Sequence, residues 1–224
     1  KNLFIKHFLI LMELMKPLFI GLVEMYKNDI SHNDIKSSNI MVDNEGCKYI
    51  DFGLSCKKSN ITFYKNRSMS EFISDRIYPP YPYEFIYLYA DNDVLDEEYT
   101  EINKYNINRE LQYKYKLIHE TIFRRLKSEN YLLELIKKSK NKGLMKYKSD
   151  IFSLIDTYSL GIFVAYELGG LSISYNKLKF FLDIISNNKQ IKDFFDLFKS
   201  MSEPDFNNRI DPINAYNRYL ELEM

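Results

Sequence analysis

The chain has 224 residues, 46% hydrophobic and 28% charged, which is enough for a core of its own. Its 31 basic and 31 acidic residues cancel, so no global field points to nucleic acid or to a membrane surface. No uninterrupted apolar run reaches the ~18 residues that a membrane-spanning helix needs. Cys47 and Cys56 lack metal-ligand spacing and read as reduced thiols, so the expected location is intracellular and cytoplasmic.

In chain order, Phe8, Leu11, Met15, Leu18, Leu22 and Met25 recur in steps of three and four, which predicts one helix from Phe4 to Met25. Pro17 lies inside it, where a kink or a restart is expected. Next come two β-prone runs, Ile40-Met41-Val42 and Cys47 to Ile50, joined by Asp43-Asn44-Glu45-Gly46. That order predicts a hairpin. Closing it would bring Asn39 and Asp51 to one place from opposite strands. Two converging oxygen donors suit Mg²⁺, a hard cation that shares its ligands with substrate phosphates. Asp34, five residues before Asn39, fits an acceptor for a hydroxyl proton, and Lys36 fits a transferring phosphate.

His32-Asn33-Asp34, Asn39 and Asp51-Phe52-Gly53 together resemble the H-R-D-x-x-x-x-N and D-F-G motifs of the protein-kinase family. The resemblance implies a mainly α fold, the large lobe of a protein kinase, with a small β-hairpin at the catalytic loop. It implies Asp34, Lys36 and Asn39 as catalytic residues, with Lys36, Asn39 and Asp51 binding ATP and Asn39 and Asp51 binding Mg²⁺. His32 is expected to be a packed structural histidine. Asn33 stands where many kinases carry an Arg that receives an activation-loop phosphate, so activation through that contact is not expected.

The resemblance covers the large lobe, from its first long helix to the C-terminus, so residues 1–224 are read as one lobe. No G-x-G-x-x-G and no V-A-I-K-like lysine precede the catalytic loop. A small lobe upstream of Lys1 is therefore expected, and the isolated segment is expected to have little or no kinase activity. Ser55 to Tyr83 resembles an activation segment ending at Pro82-Tyr83-Glu84, where the family has A-P-E. Ile77 stands where Ser/Thr kinases commonly have a Thr, while Ser68, Ser70 and Ser74 are candidate phosphorylation sites.

Between Glu84 and Asp156 lie 71 residues, far more than the family usually places there. This insertion, 90–148, opens acidic and closes basic. Leu111, Tyr115, Ile118, Ile122 and Leu126 predict a long helix from about Glu110 to Lys138. Its apolar stripe either packs on the lobe or docks a protein partner. The Tyr- and Pro-rich Y-P-P-Y-P-Y-E, Asn33 and the long insertion together resemble the divergent kinases of large DNA viruses, which would place the protein in host cytoplasm or virion.

Asp156-Thr157-Tyr158-Ser159-Leu160-Gly161 resembles the D-x-W-S-x-G start of the lobe's central helix, whose Asp bonds the catalytic-loop backbone. Phe194, Phe195, Leu197, Phe198 and Met201 predict a packed helix. Arg209 falls where the family has an Arg paired with the A-P-E glutamate, here Glu84. The leading expectation is a Ser/Thr protein kinase, with ATP and a protein as substrates. The alternatives are a pseudokinase that keeps the fold for binding, and a small-molecule kinase of the aminoglycoside-phosphotransferase type.

Overall fold

The computed structural model describes residues 2–64, 66–67, 115–123, 152, 154–171 and 175–223. The architecture is mainly α, as expected. Where one helix was predicted over 4–25 there are two, α1 (Asn2–Leu14) and α2 (Lys16–Lys27). Pro17 is the reason for the restart: it lacks an N–H and is tolerated only in a first turn, where it now sits. Met15, at the junction, is fully buried.

Two antiparallel strand pairs follow. β1 (Ile30–Ser31) pairs with β4 (Cys56–Lys57), and β2 (Ile40–Asp43) forms the predicted hairpin with β3 (Gly46–Tyr49). The hairpin turn needs Gly46, whose φ of +116° side chains rarely adopt. A Cβ there would also lie 2.8 Å from the Leu14 carbonyl oxygen. The turn therefore seats directly on the α1–α2 junction, and the Tyr49 hydroxyl donates to the Leu18 carbonyl at 3.0 Å.

The centre of the lobe is α3 (Ile155–Leu171), whose residues Ile155 to Ile162 are all buried, as predicted for this helix. It packs against α5 (Lys189–Met201), which buries the expected Phe194, Phe195, Leu197, Phe198 and Met201. α4 (Tyr175–Asn187) precedes α5, and Asn188 caps α5 by accepting from the Ile191 N–H at 3.0 Å. α6 (Pro212–Glu223) closes the lobe against α2 and α5. Its start combines Pro212 at the first position with Asp211, whose carboxylate accepts from the Ile213 and Asn214 N–H groups at 2.9 Å. Aromatic contacts tie these helices together. Phe19 stacks on Tyr219 at 4.4 Å, Phe8 lies against Phe194 and Phe195, and the Tyr219 hydroxyl donates to the Met12 carbonyl at 2.6 Å.

Of the predicted helix 110–138, the described part, Tyr115–Ile122, is helical but wound as a π-helix. Ile118, Ile122 and Phe123 are buried in the main core, and the segment packs against α3. Over this stretch the apolar stripe is spent inside the lobe. Leu111 and Leu126 lie outside the described residues.

α3 and α5 approach so closely that a Cβ at Gly161 would sit 2.6 Å from Met201 Cβ and 2.9 Å from the Phe198 carbonyl oxygen. Gly161→Ala is therefore expected to destabilise the lobe by about 1–3 kcal/mol through overpacking, read as a lower denaturant midpoint at unchanged slope.

Candidate active site

The two strand pairs lay two loops side by side. Residues 32–39 run between β1 and β2, and residues 50–55 run between β3 and β4. The Ile50 N–H donates to the Asn39 carbonyl at 3.0 Å, so Asn39 and Asp51 lie at adjacent ends of the hairpin, as its closure predicts.

Three predicted residues meet at one carboxylate. Asp34 is buried, and its Oδ2 lies 2.8 Å from Lys36 Nζ and accepts from Asn39 Nδ2 at 2.8 Å. The same Asn39 amide donates to the Asp34 backbone carbonyl at 2.9 Å. A 3₁₀ turn over Ser37–Asn39 makes this reach possible by folding Asn39 back over the residues before it. The carboxylate is thus oriented by two donors. The Asn39 NH₂ is committed to Asp34, leaving its carbonyl oxygen as the branch of the amide that can meet a cation.

Asp51 has a left-handed backbone, φ 60° and ψ 71°, a costly conformation for a residue other than Gly. Its Oδ1 accepts from the Gly53 N–H at 3.2 Å, which turns the chain into the 3₁₀ turn Phe52–Leu54 and leaves the carboxylate exposed. Hard oxygens at Asn39 and Asp51 fit Mg²⁺ in kind, and one of the two is anionic.

Beneath this pair the loop is held from inside. The Asp156 carboxylate at the start of α3 accepts from the His32 N–H at 2.6 Å and from the Asn33 N–H at 2.9 Å, as the resemblance implied. Burial pushes its carboxyl above the ordinary carboxylate range, and the two amide donors pull it back. His32 is fully buried, the packed histidine expected of it. Its Nδ1 accepts from the Asp34 N–H at 3.3 Å, so the ring proton sits on Nε2 and is donated to the Ile50 carbonyl at 3.1 Å. One imidazole therefore ties the Asp34 loop to the Asp51 loop, with the Phe52 ring 4.7 Å away.

Asn33 is the residue whose role the sequence left undrawn. It has φ 65°, a left-handed conformation that Asn tolerates better than most side chains, and it is buried. Its Nδ2 donates to the Ser31 carbonyl at 3.2 Å, the Leu54 carbonyl at 3.1 Å and Cys56 Sγ at 3.4 Å. In place of a phosphate-accepting guanidinium, this position holds an internal staple across the two loops. Lys58 was also missed: it is buried, donates to the Tyr26 carbonyl at 2.8 Å and lies 4.0 Å over the Tyr26 ring, and burial lowers its pKa. Neither position carries a sequence signal, because each joins parts of the chain more than twenty positions apart, Asn33 to Leu54 and Cys56 and Lys58 to Tyr26.

Arg209 is buried, with Nε donating to the Glu203 carbonyl at 2.9 Å, one guanidinium nitrogen donating to the Leu154 carbonyl at 3.1 Å, and the group lying 4.8 Å over the Tyr158 ring. Its expected partner Glu84 lies outside the described residues, as do Ser68, Ser70, Ser74, Ile77 and the Pro82-Tyr83-Glu84 motif. The Asn33 staple has a direct test. Asn33→Asp keeps the shape but cannot donate, so it is expected to cost at least about 2 kcal/mol of stability, and Asn33→Ala is expected to fall below Asn33→Gly by up to about 1 kcal/mol through the positive φ; equilibrium unfolding of the three variants measures both differences.

Part of the chain is similar to known proteins. Residues 7–80 match the protein kinase domain. The chain is 44% identical over 55 residues to the CTD kinase subunit alpha of Saccharomyces cerevisiae, covering 24% of this chain and 10% of that protein. It is 51% identical over 43 residues to mitogen-activated protein kinase kinase kinase 3 of Arabidopsis thaliana (19% and 7%), and 39% identical over 56 residues to the serine/threonine-protein kinase STE11 of Saccharomyces cerevisiae (25% and 8%). The matched stretch thus spans a tenth or less of these relatives' own lengths. No solved structure matches. The segment 7–80, which contains Asp34, Lys36, Asn39 and Asp51, is thus similar to the protein kinase domain.

Proposed function

We propose that this chain is the large lobe of a Ser/Thr protein kinase, transferring the γ-phosphoryl group of ATP to a protein hydroxyl. The observation that carries the reading is the buried Asp34 carboxylate, held at 2.8 Å by both Lys36 and Asn39. In this role Asp34 orients the substrate hydroxyl and accepts its proton as the O–P bond forms. Lys36 stands beside the same carboxylate and faces the transferring phosphate, offsetting its charge. Asn39 and Asp51 would hold Mg²⁺, which supplies charge neutralisation on the phosphate oxygens. The protein's own contribution is positioning, since a phosphoryl transfer needs little covalent help.

Lys36, two residues after Asp34, supports Ser/Thr over Tyr specificity, as does the name of one relative, a serine/threonine-protein kinase. A small lobe that completes the ATP site belongs to this reading, as do an intracellular, cytoplasmic setting and an origin in a large DNA virus. The last rests on the Y-P-P-Y-P-Y-E run, Asn33 and the insertion 90–148. A protein partner at that insertion would have to use residues other than Ile118, Ile122 and Phe123, which the core already buries.

The test is phosphoryl transfer by the full-length protein, supplied with Mg²⁺-ATP and a generic basic protein. Asp34→Ala is expected to lower kcat by about 10²–10⁴-fold, Asp51→Ala to abolish Mg²⁺-dependent turnover, and chelation of Mg²⁺ to silence the parent. Labelling on Ser or Thr that both variants lose supports the reading. A parent as silent as the variants, with Mg²⁺-ATP binding retained, would overturn it in favour of a pseudokinase.

A further inference from the structure

Asp156 can hold the catalytic loop only if the first turns of α3 are themselves held. The Phe152 ring, just before α3, stacks on Tyr64 at 3.9 Å with an interplanar angle of 4°, and the Phe152 carbonyl accepts from Ser31 Oγ at 3.4 Å. The Leu154 carbonyl takes the Arg209 guanidinium. The third hold comes from the insertion. His119, fully buried within the π-helical segment, places its Nε2 3.3 Å from the hydroxyl of Tyr158, itself fully buried and one position beyond Thr157 from Asp156. The Tyr158 ring is at the same time covered by Arg209. Ile118, Ile122 and Phe123 of the same segment are buried in the main core.

We infer that the insertion is an internal latch: through the His119–Tyr158 hydrogen bond it positions Asp156, and through Asp156 it holds the His32 and Asn33 amides that set the conformation of the loop carrying Asp34. His119 and Tyr158 are positioning residues, since neither touches the reacting groups. Several observations favour this over a surface decoration. The segment lies in the main core, its histidine reaches the helix that carries Asp156, and the polar pair is buried, where an unmade hydrogen bond is costly.

The test uses the full-length protein and reads hydrogen exchange at the His32 and Asn33 amides, which is independent of activity. Tyr158→Phe removes only the hydroxyl, and His119→Leu replaces the imidazole by an apolar side chain. Each is expected to raise exchange at those two amides about fivefold, and the double variant is expected to do no more than either alone. His119→Gln, whose amide nitrogen stands in for Nε2, is expected to restore protection. Because the effect on turnover rests on the kinase reading, kcat is measured in parallel: Tyr158→Phe should lower it about fivefold at unchanged KM for ATP. Unchanged protection at His32 and Asn33 in both single variants, with the fold intact, overturns the latch whatever the activity. Changed protection in a protein that never transfers phosphate leaves the latch standing and removes the kinase reading alone.

Discussion

The site depends on one buried carboxylate. Asp156 accepts two consecutive backbone N–H groups, those of His32 and Asn33, and so fixes the path of the chain one residue before Asp34. Two neighbouring amides can point at one carboxylate only where the backbone turns sharply, and the left-handed Asn33 supplies that turn. The bonds to the two amides offset part of the cost of this conformation and of burying the carboxylate. Removing the acceptor would leave two buried donors with nothing to replace it, which makes Asp156 a structural keystone although it stands 122 positions after Asp34 in the chain.

Around that keystone the structure uses short, mutually bracing contacts in place of long sheets. His32 reads both loops with one ring, Nδ1 toward Asp34 and Nε2 toward Ile50. Asn33 does the same with one amide, reaching Ser31, Leu54 and Cys56. These braces add to the two-residue pairing of β1 with β4, which alone would hold little. The exposed Asp51 and the half-buried Lys36 therefore sit on a backbone whose freedom has already been removed, and that is the condition for electrostatic preorganisation.

The motif residues were legible because their chemistry sets their spacing. Asp34, Asn39 and Asp51 sit where a turn and a hairpin bring them together, and both are local structures whose signals lie within a few residues. The helical periods of α5 and of the stretch around Pro17 were legible for the same reason, although the proline divides that stretch into α1 and α2. The insertion was legible as apolar spacing at Ile118 and Ile122, yet the spacing could not say whether the stripe faces this lobe or a partner. Periodicity specifies that a face must be covered and is silent on what covers it.

By itself, then, the sequence determined the residues that make up the proposed site, the hairpin that gathers them, and the apolar faces that had to be buried. These follow from local geometry and from residue chemistry. Tertiary structure alone decided that Asn33 staples two loops, that Lys58 is buried on Tyr26, and that His119 reaches Tyr158. The physical reason is common to all three. Each is a polar side chain whose role is defined by an acceptor or a ring brought to it by the fold, from 21 to 39 positions away, and no spacing along the chain encodes that meeting.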